Sequence, residues 1–307
     1  MRILVTGGAG FIGSHLIDTF VAAGHETAVV DSFWEHGGGR RANLNPKSKF
    51  YELDIRDPGL ESVFADFAPE VVSHHAAQHS VAISTADPNY DADVNILGLL
   101  NVLRLSVKHK TRKVTFASSA ATYGTPQRLP ITEDHPQLPE SPYGITKMAA
   151  EHYLRFFWTA HGLQFTILRY GNVFGPRQDP NGEAGVIAIF CGKILNGQPI
   201  RVDWDGEQQK DFVYVGDVAR AGLMALDRAD GATFNIGTGV GTSVNELHKV
   251  IAAQVGRDVE IVHAPKRSGD IRMCVFAIEK AQRELGWSPA TSLADGIKKT
   301  VDYFRTV

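Results

Sequence analysis

The sequence predicts an α/β fold: a doubly wound parallel sheet with a smaller C-terminal α/β lobe. Three observations carry this. Short apolar runs alternate with amphipathic stretches as far as residue 178, as repeated strand–helix–strand units do. A glycine-rich turn, Gly7-Gly-Ala-Gly10-Phe-Ile-Gly13, joins the first run to the first helix. Beyond Asp179 the alternation breaks into shorter, mixed segments. The expected division is a dinucleotide-binding Rossmann domain over 1–178, with some later segments returning to it, and a lobe over 179–307 that is mainly substrate-binding.

Residues 1–6 read as the first strand, 14–23 as a helix and 27–31 as the second strand. Gly8-x-Gly10-x-x-Gly13 fits the dinucleotide fingerprint, and Gly7-x-x-Gly10-x-x-Gly13 fits a wider-spaced variant. A side chain in this turn would hold the backbone away from a pyrophosphate, and one at Gly13 would push the helix off the strand. Asp31 ends the second strand eighteen residues after Gly13. A carboxylate there accepts hydrogen bonds from the adenosine ribose and repels a 2′-phosphate, which favours NAD over NADP. The expected cofactor contacts in this unit are Gly7, Gly10, Phe11, Ile12, Gly13 and Asp31.

Residues 32–48, with Gly37-Gly-Gly39, Arg40 and Arg41, read as a mobile loop. The third strand, 50–54, ends at Asp54, placed to reach the adenine amino group with Ile55 against the ring; Asp57-Pro58 caps a helix over 59–67. The fourth strand, 70–75, runs into Ala76-Ala77-Gln78, small residues that let the chain pass close to a cofactor. His74 and His75 point to opposite faces of that strand, and no further ligand falls at metal spacing, so no metal site is expected. A long helix from Asp87-Pro88 to about His109 carries an apolar stripe wide enough to cover both the sheet and a partner surface. Asn95 lies in that stripe and must find a buried partner. The fifth strand, 113–117, leads into Ser118-Ser119, a helix follows over 143–160, and the sixth strand, 165–170, ends at Tyr170. In the second part, strands are expected at 199–202, 210–215 and 234–236, and helices at 186–196, 218–226, 244–255, 278–285 and 293–305.

Bulk properties exclude several classes. With 307 residues, a net charge of −3 and 21% charged residues, the chain has no basic excess to recruit nucleic acid or an anionic membrane. Its two cysteines, Cys191 and Cys274, form no disulfide framework and fit a reducing compartment. Met1 runs straight into the first strand without a signal peptide, and no apolar run approaches the ~20 residues of a membrane span. The expectation is a soluble cytoplasmic protein.

Tyr143 and Lys147 are four apart on a helix and so share a face. A free phenol, with a pKa of about 10, is a poor base at neutral pH. A neighbouring ammonium and a cationic nicotinamide ring would lower that value and let Tyr143 take a proton from a substrate hydroxyl while hydride leaves the same carbon. Ser119 would hold that oxygen by a second hydrogen bond. Lone Tyr-x-x-x-Lys pairs are common on helix surfaces; behind a dinucleotide turn and a serine-bearing strand end, this one carries meaning.

With these residues in hand, the chain resembles the extended short-chain dehydrogenase/reductases, and among them the UDP-hexose 4-epimerases. The resemblance spans nearly the whole chain. It rests on the Thr6–Gly13 turn, Asp54-Ile-Arg-Asp57, His75-Ala-Ala-Gln78, Ser118-Ser119 with Tyr123-Gly124, and Ser141-Pro-Tyr143-Gly-Ile-Thr-Lys147. It continues in 169–178, 210–218, Arg267-Ser-Gly-Asp270 and Leu285-Gly-Trp287. The resemblance implies a tightly held NAD, reduced and reoxidised within one turnover, with Tyr143 as base, Lys147 on the nicotinamide ribose and Ser119 assisting. Ala76, Ala77, Gln78, Asn95, Ser118 and Tyr170 complete the implied cofactor set. For a UDP-sugar it implies Ser119, Asn172, Val186, Val202, Lys210, Arg267, Asp270 and Cys274. It also implies a homodimer joined by two helices per subunit.

Departures matter. Lys210 stands where the family has Arg and cannot make the same bidentate phosphate contact. Thr122 stands where an aliphatic residue is usual. Ala120 and Ala121 leave no acid beside Ser119, which argues against the dehydratases and decarboxylases of the superfamily. UDP-glucuronate 4-epimerases usually carry Thr and Arg at the positions of Asn172 and Asp179, and a carboxylate at 179 would repel a uronate. The expectation is therefore C4 epimerisation of UDP-glucose and UDP-galactose. Cys274 is a small residue where the family varies, which leaves room for the N-acetylated pair or is plain packing. A UDP-glucuronate 4-epimerase and a nucleotide-linked 4-keto-deoxysugar reductase stand as the alternatives.

Overall fold

The computed structural model describes residues 1–307 except 36, 181–184 and 267–270. The first strand, β1 (Arg2–Thr6), sends Leu4 to one face and Ile3 and Val5 to the other, and all three are fully buried. It therefore belongs inside a sheet covered on both sides. The chain continues through α1 (Phe11–Ala22), β2 (Glu26–Asp31), β3 (Lys49–Glu52), α2 (Leu60–Phe67), β4 (Val71–His74), α3 (Val81–Ala86) and α4 (Pro88–Ala92). A π-helical turn, Asp93–Gly98, joins α4 to α5 (Leu99–Lys108), followed by β5 (Lys113–Ser119), α6 (Pro142–His161) and β6 (Gln164–Tyr170). The remainder comprises β7 (Asn172–Phe174), α7 (Val186–Leu195), β8 (Ile200–Asp203), β9 (Gln209–Tyr214), α8 (Val215–Met224), β10 (Ala232–Ile236), β11 (Gly241–Ser243), α9 (Val244–Val255), β12 (Ile261–Ala264), β13 (Met273–Cys274) and α10 (Leu293–Phe304).

The main sheet is parallel with seven strands in the order β10-β6-β5-β4-β1-β2-β3. The order reverses between β1 and β4, which opens a crevice at the carboxyl edge. On one face Leu4, Val30, Val72, Val114 and Phe116 pack against α2, α5 and α6 through Phe64, Leu103 and Leu154. On the other, Ile3, Val5 and Val29 pack against Leu16, Ile17 and Phe20 of α1 and Ala219 of α8. β10 and α8 thus return to the main sheet from the second half of the chain. The other late elements gather around a separate core of Phe174, Phe190, Ile194, Ile200, Phe212, Leu247 and Ile297.

Local chemistry sets the helix ends. Ser141 caps α6 by accepting from the Gly144 N–H at 3.1 Å, Pro142 opens the helix, and Gly162 in the left-handed region closes it. Asp87 caps α4 in the same way through the Tyr90 N–H.

Several expectations need correction. The helix expected from 87 to 109 is interrupted by the π turn, and the one expected over 278–285 is a π-helical segment, Ala281–Leu285. α3, β7, β11, β12 and β13 are absent from the sequence reading. At the end of the loop after β2, the Arg40 N–H and the Asn43 side-chain amide both donate to the Ala9 carbonyl, at 3.1 and 2.9 Å.

Candidate active site

A cleft of about 990 Å³ runs along the carboxyl edge of the main sheet and under the second core. Its floor at one end is the turn after β1. Gly7 has φ +70, and a Cβ there would come within 2.6 Å of the Ala76 nitrogen; a Cβ on Gly13 would lie 2.2 Å from the Gly7 carbonyl oxygen. Gly8 instead faces Val29 in the core, so the cleft is lined by the wider-spaced set Gly7, Gly10 and Gly13, with Phe11 and Ile12 beside them. Gly10 caps α1 without a side chain, leaving the first-turn N–H groups open toward the cleft.

Asp31 lies at the end of β2, where its carboxylate accepts from the Ala9 and Phe33 N–H groups at 3.0 Å each. Burial raises its pKa, and those two bonds partly offset the rise. Asp54 and Ile55 also line the cleft. Both Asp54 oxygens are engaged by Arg56, and this holds the carboxyl below its usual range. Trp34 and Tyr90, which sequence reasoning missed, approach each other at 5.5 Å between ring centroids and line the same end. Arg40 reaches Asp179 at 3.3 Å nearby. Large aromatics flanking a glycine- and arginine-rich loop were the available signal.

Past the turn, Ala76, Ala77 and Gln78 pass along the cleft. His74 is sealed beneath, bonded to Thr6 at 2.8 Å, whereas His75 faces the cleft and meets the Tyr170 hydroxyl at 3.0 Å. Burial and the Lys147 charge push His75 down to about 3, so it is neutral. Ser118, Ser119, Tyr143 and Lys147 converge where β5 ends against α6. The Ser119 hydroxyl lies close enough to Tyr143 to act on its phenol, and its Oγ accepts from the Ala121 N–H at 3.1 Å. Thr122 finds its reason here: its hydroxyl donates to the Ser119 carbonyl at 2.9 Å and tightens the turn. Lys147 Nζ donates to the Ala117 carbonyl at 3.0 Å and lies 5.8 Å from the Tyr143 ring centroid.

The electrostatics differ from expectation. Burial pushes the Tyr143 phenol up to about 12, opposed by the neighbouring Ser119 hydroxyl and reinforced by the charge of Asp91. Lys147 is itself pushed down to about 8 by burial, with Asp91 pulling it back up. In the protein alone, desolvation of the phenol outweighs any help from the ammonium.

At the far end, Asn172, Val186, Lys210 and Cys274 line the cleft together with Phe212 and Ile271. Lys210 pairs with Cys274 across β9 and β13 and donates to the Ile271 carbonyl at 3.2 Å. Two expected contacts fall elsewhere. Val202 is 1% exposed within the second core, because its strand turns it inward. Asn95 does not line the cleft; its side chain is consumed by the Gln78 backbone, Asp91 and Thr146. Arg267 and Asp270 lie outside the described residues.

Comparison with known proteins agrees with this geometry. Residues 3–237 match the model of the NAD dependent epimerase/dehydratase family. A UDP-glucose 4-epimerase of Mycolicibacterium smegmatis is 43% identical, with 99% of each chain covered. Among solved structures, a Thermotoga maritima UDP-glucose 4-epimerase with UDP-glucose shares 47% identity at a TM-score of 0.97, covering 100% of this chain and 99% of that one. A Thermus thermophilus UDP-glucose 4-epimerase in complex with NAD shares 43% identity at a TM-score of 0.94, with 99% of each chain covered. The chain belongs to the NAD dependent epimerase/dehydratase family.

NAD is the cofactor of this family, and the residues present fit it. The Gly7–Gly10–Gly13 backbone leaves the space a pyrophosphate needs, the uncapped start of α1 offers N–H groups and a positive dipole end, and Asp31 lines the same end of the cleft, where it would meet the adenosine ribose.

Proposed function

We propose that the protein inverts C4 of UDP-hexoses, interconverting UDP-glucose and UDP-galactose, with Tyr143 as the base. It is an NAD-dependent 4-epimerase: its family is NAD dependent, and its full-length relatives at 43–47% identity are named UDP-glucose 4-epimerases. One observation carries the mechanism: Ser119, Tyr143 and Lys147 meet at the end of β5, in the cleft that also contains the glycine cradle. When bound, NAD supplies the hydride acceptor of the outward half-reaction and the donor of the return. Tyr143, ionised, removes the proton from the 4-hydroxyl as the C4–H bond breaks, and a 4-keto sugar results. Ser119 hydrogen-bonds the same oxygen in both states. The keto sugar turns about its diphosphate to present its other face, and Tyr143 returns the proton. Lys147 supplies the positive charge that the phenolate requires.

Asn172, Val186, Lys210 and Cys274 form the substrate end in this reading, within the lobe formed mainly by 179–307. Asp179 pairs with Arg40, so position 179 offers a uronate no guanidinium of its own. Cys274, small and 7% exposed, leaves room for an N-acetyl group on the sugar. A homodimer is supported by the apolar face that α6 and the π turn leave open, with Leu97 57% and Phe156 58% exposed. A cytoplasmic setting is supported by the two buried free cysteines. Among the described residues no helix is long and apolar enough to cross a membrane. The test is conversion of UDP-galactose to UDP-glucose by purified protein with no NAD added. Protein inert on both sugars that instead consumes NADH with a nucleotide-linked keto-sugar would establish the reductase.

A further inference from the structure

Asp91 is fully buried, yet the chemistry described so far gives it no part. One oxygen accepts from the Gln78 side-chain amide at 2.8 Å and the Asn95 amide at 3.0 Å; the other accepts from the Thr146 hydroxyl at 2.8 Å. Three donors on two oxygens suit an ionised carboxylate. Each donor comes from a different element. Gln78 belongs to the cleft-lining loop after β4, Asn95 to the π turn, and Thr146 to the turn of α6 between Tyr143 and Lys147. Asn95 also grips the Gln78 backbone through both its carbonyl and its amide, at 2.9 Å each. The irregular turn begins two residues after Asp91, and π turns recur where a helix must re-aim a functional group.

We propose that Asp91 is a positioning residue for the epimerisation: it ties the Tyr143–Lys147 turn of α6 to the cleft floor and supplies the negative charge that balances the Lys147 ammonium. This rests on Tyr143 as the base. The other titratable groups around the pair are otherwise engaged. His74 and His75 are held neutral by burial, Asp93 pairs with Arg56 at 2.6 Å, and Glu151 pairs with Arg169 at 2.6 Å. α3 contributes no titratable side chain. Asp91 is thus the carboxylate whose charge reaches both members of the pair, raising Lys147 and raising Tyr143.

The sign of its removal follows. In Asp91→Asn the amide oxygen can still accept from Gln78 and Asn95 and the amide nitrogen can donate to Thr146, so the tether survives without the charge. Both pKa values then fall together. With NAD bound, whose positive nicotinamide ring would bring the phenol below its value in the protein alone, the acid limb of kcat reports ionisation of Tyr143 and the basic limb loss of the Lys147 proton, and both move to lower pH, by about one unit. The KM for UDP-galactose and the bound NAD stay within twofold of the parent. A pH profile that does not move overturns the proposal, whether or not kcat drops. Asp91→Glu supplies the second measurement, even if the Asn variant does not fold: charge is retained and reach is altered, so kcat falls several-fold with both limbs in place. Unchanged kcat, or displaced limbs, in that variant also overturns it. Tyr143→Phe, assayed alongside, separates the two failures, because residual turnover there refutes the base itself rather than its positioning.

Discussion

Glu151 and Arg169 form a doubly hydrogen-bonded ion pair, Nε to Oε1 at 2.9 Å and Nη2 to Oε2 at 2.6 Å, with both side chains almost wholly buried. The Ser118 hydroxyl donates to the same Oε1 at 2.6 Å, and Arg169 also donates to the Tyr123 hydroxyl at 2.7 Å. The pair therefore joins α6 to β5 and β6 directly behind the serine-bearing strand end. Removing either partner strands a buried charge, which costs about 3–5 kcal/mol. Glu151→Ala and Arg169→Ala should each lose that much in denaturant unfolding, and the double variant less than their sum. Losses under about 1 kcal/mol, the ordinary worth of an exposed pair, or strict additivity, would refute the coupling.

The glycine cradle makes a sharper demand. A methyl at position 13 has nowhere to go, since its neighbour at 2.2 Å is backbone. Gly13→Ala should displace α1 from the turn, and the purified protein should carry less than about a tenth of the parent's nucleotide, measured as NAD released on denaturation. Retention of the full complement would show that α1 can shift without opening the cradle.

Lys147 should uncouple activity from stability as pH rises. Its folded pKa, about 8, lies below the unfolded value of 10.5. Between those values the unfolded chain binds more protons, so this group's contribution to stability rises with pH across the window. Turnover moves the other way, because the ammonium that supports the Tyr143 phenolate is lost as pH passes about 8. Parallel pH series of kcat and of denaturant midpoint check this. In Lys147→Met the rise in stability across that window, from about pH 8 to about pH 10, should be absent.

Much of this was legible in the sequence. The short apolar runs mark every strand of the main sheet, and the glycine turn and Asp31 both line one end of the cleft. What escaped depended on contacts between distant residues. Asn95 reads as a ligand until Asp91 and Thr146 are seen to enclose it, and a π turn shifts helical phase by a residue without a local signature. Val202 lies elsewhere for a similar reason: its strand does not reach the cleft, and it packs with Ile200 in the second core. Thr122 seemed anomalous because its partner, the Ser119 carbonyl, becomes available only once the chain turns after β5.

The proposed homodimer can be tested at the open face of α6. Ile145, Tyr153 and Phe156 recur at helical spacing and are 49%, 37% and 58% exposed, and Leu97 of the π turn, an element packed against α6, is 57% exposed. An apolar patch of this kind on a soluble protein is normally covered. Leu97→Glu combined with Phe156→Glu should convert a dimer to a monomer in light scattering while leaving the melting of the isolated subunit intact. A parent protein that is already monomeric at micromolar concentration would end this reading.

Substrate breadth can be tested at Cys274. It lies on β13 opposite Lys210, with its thiol pKa raised by burial, so it acts here as a small apolar wall rather than a nucleophile. A tyrosine at this position would fill the space an N-acetyl group needs, while a neutral hexose, lacking that group, would not meet it. Cys274→Tyr should therefore lower kcat/KM for UDP-N-acetylglucosamine by about tenfold or more and that for UDP-glucose by less than about threefold. If wild type does not turn over the N-acetyl sugar, the wall is set by some other residue. If the variant loses both sugars equally, the tyrosine has disturbed β13 against β9 instead of narrowing the site.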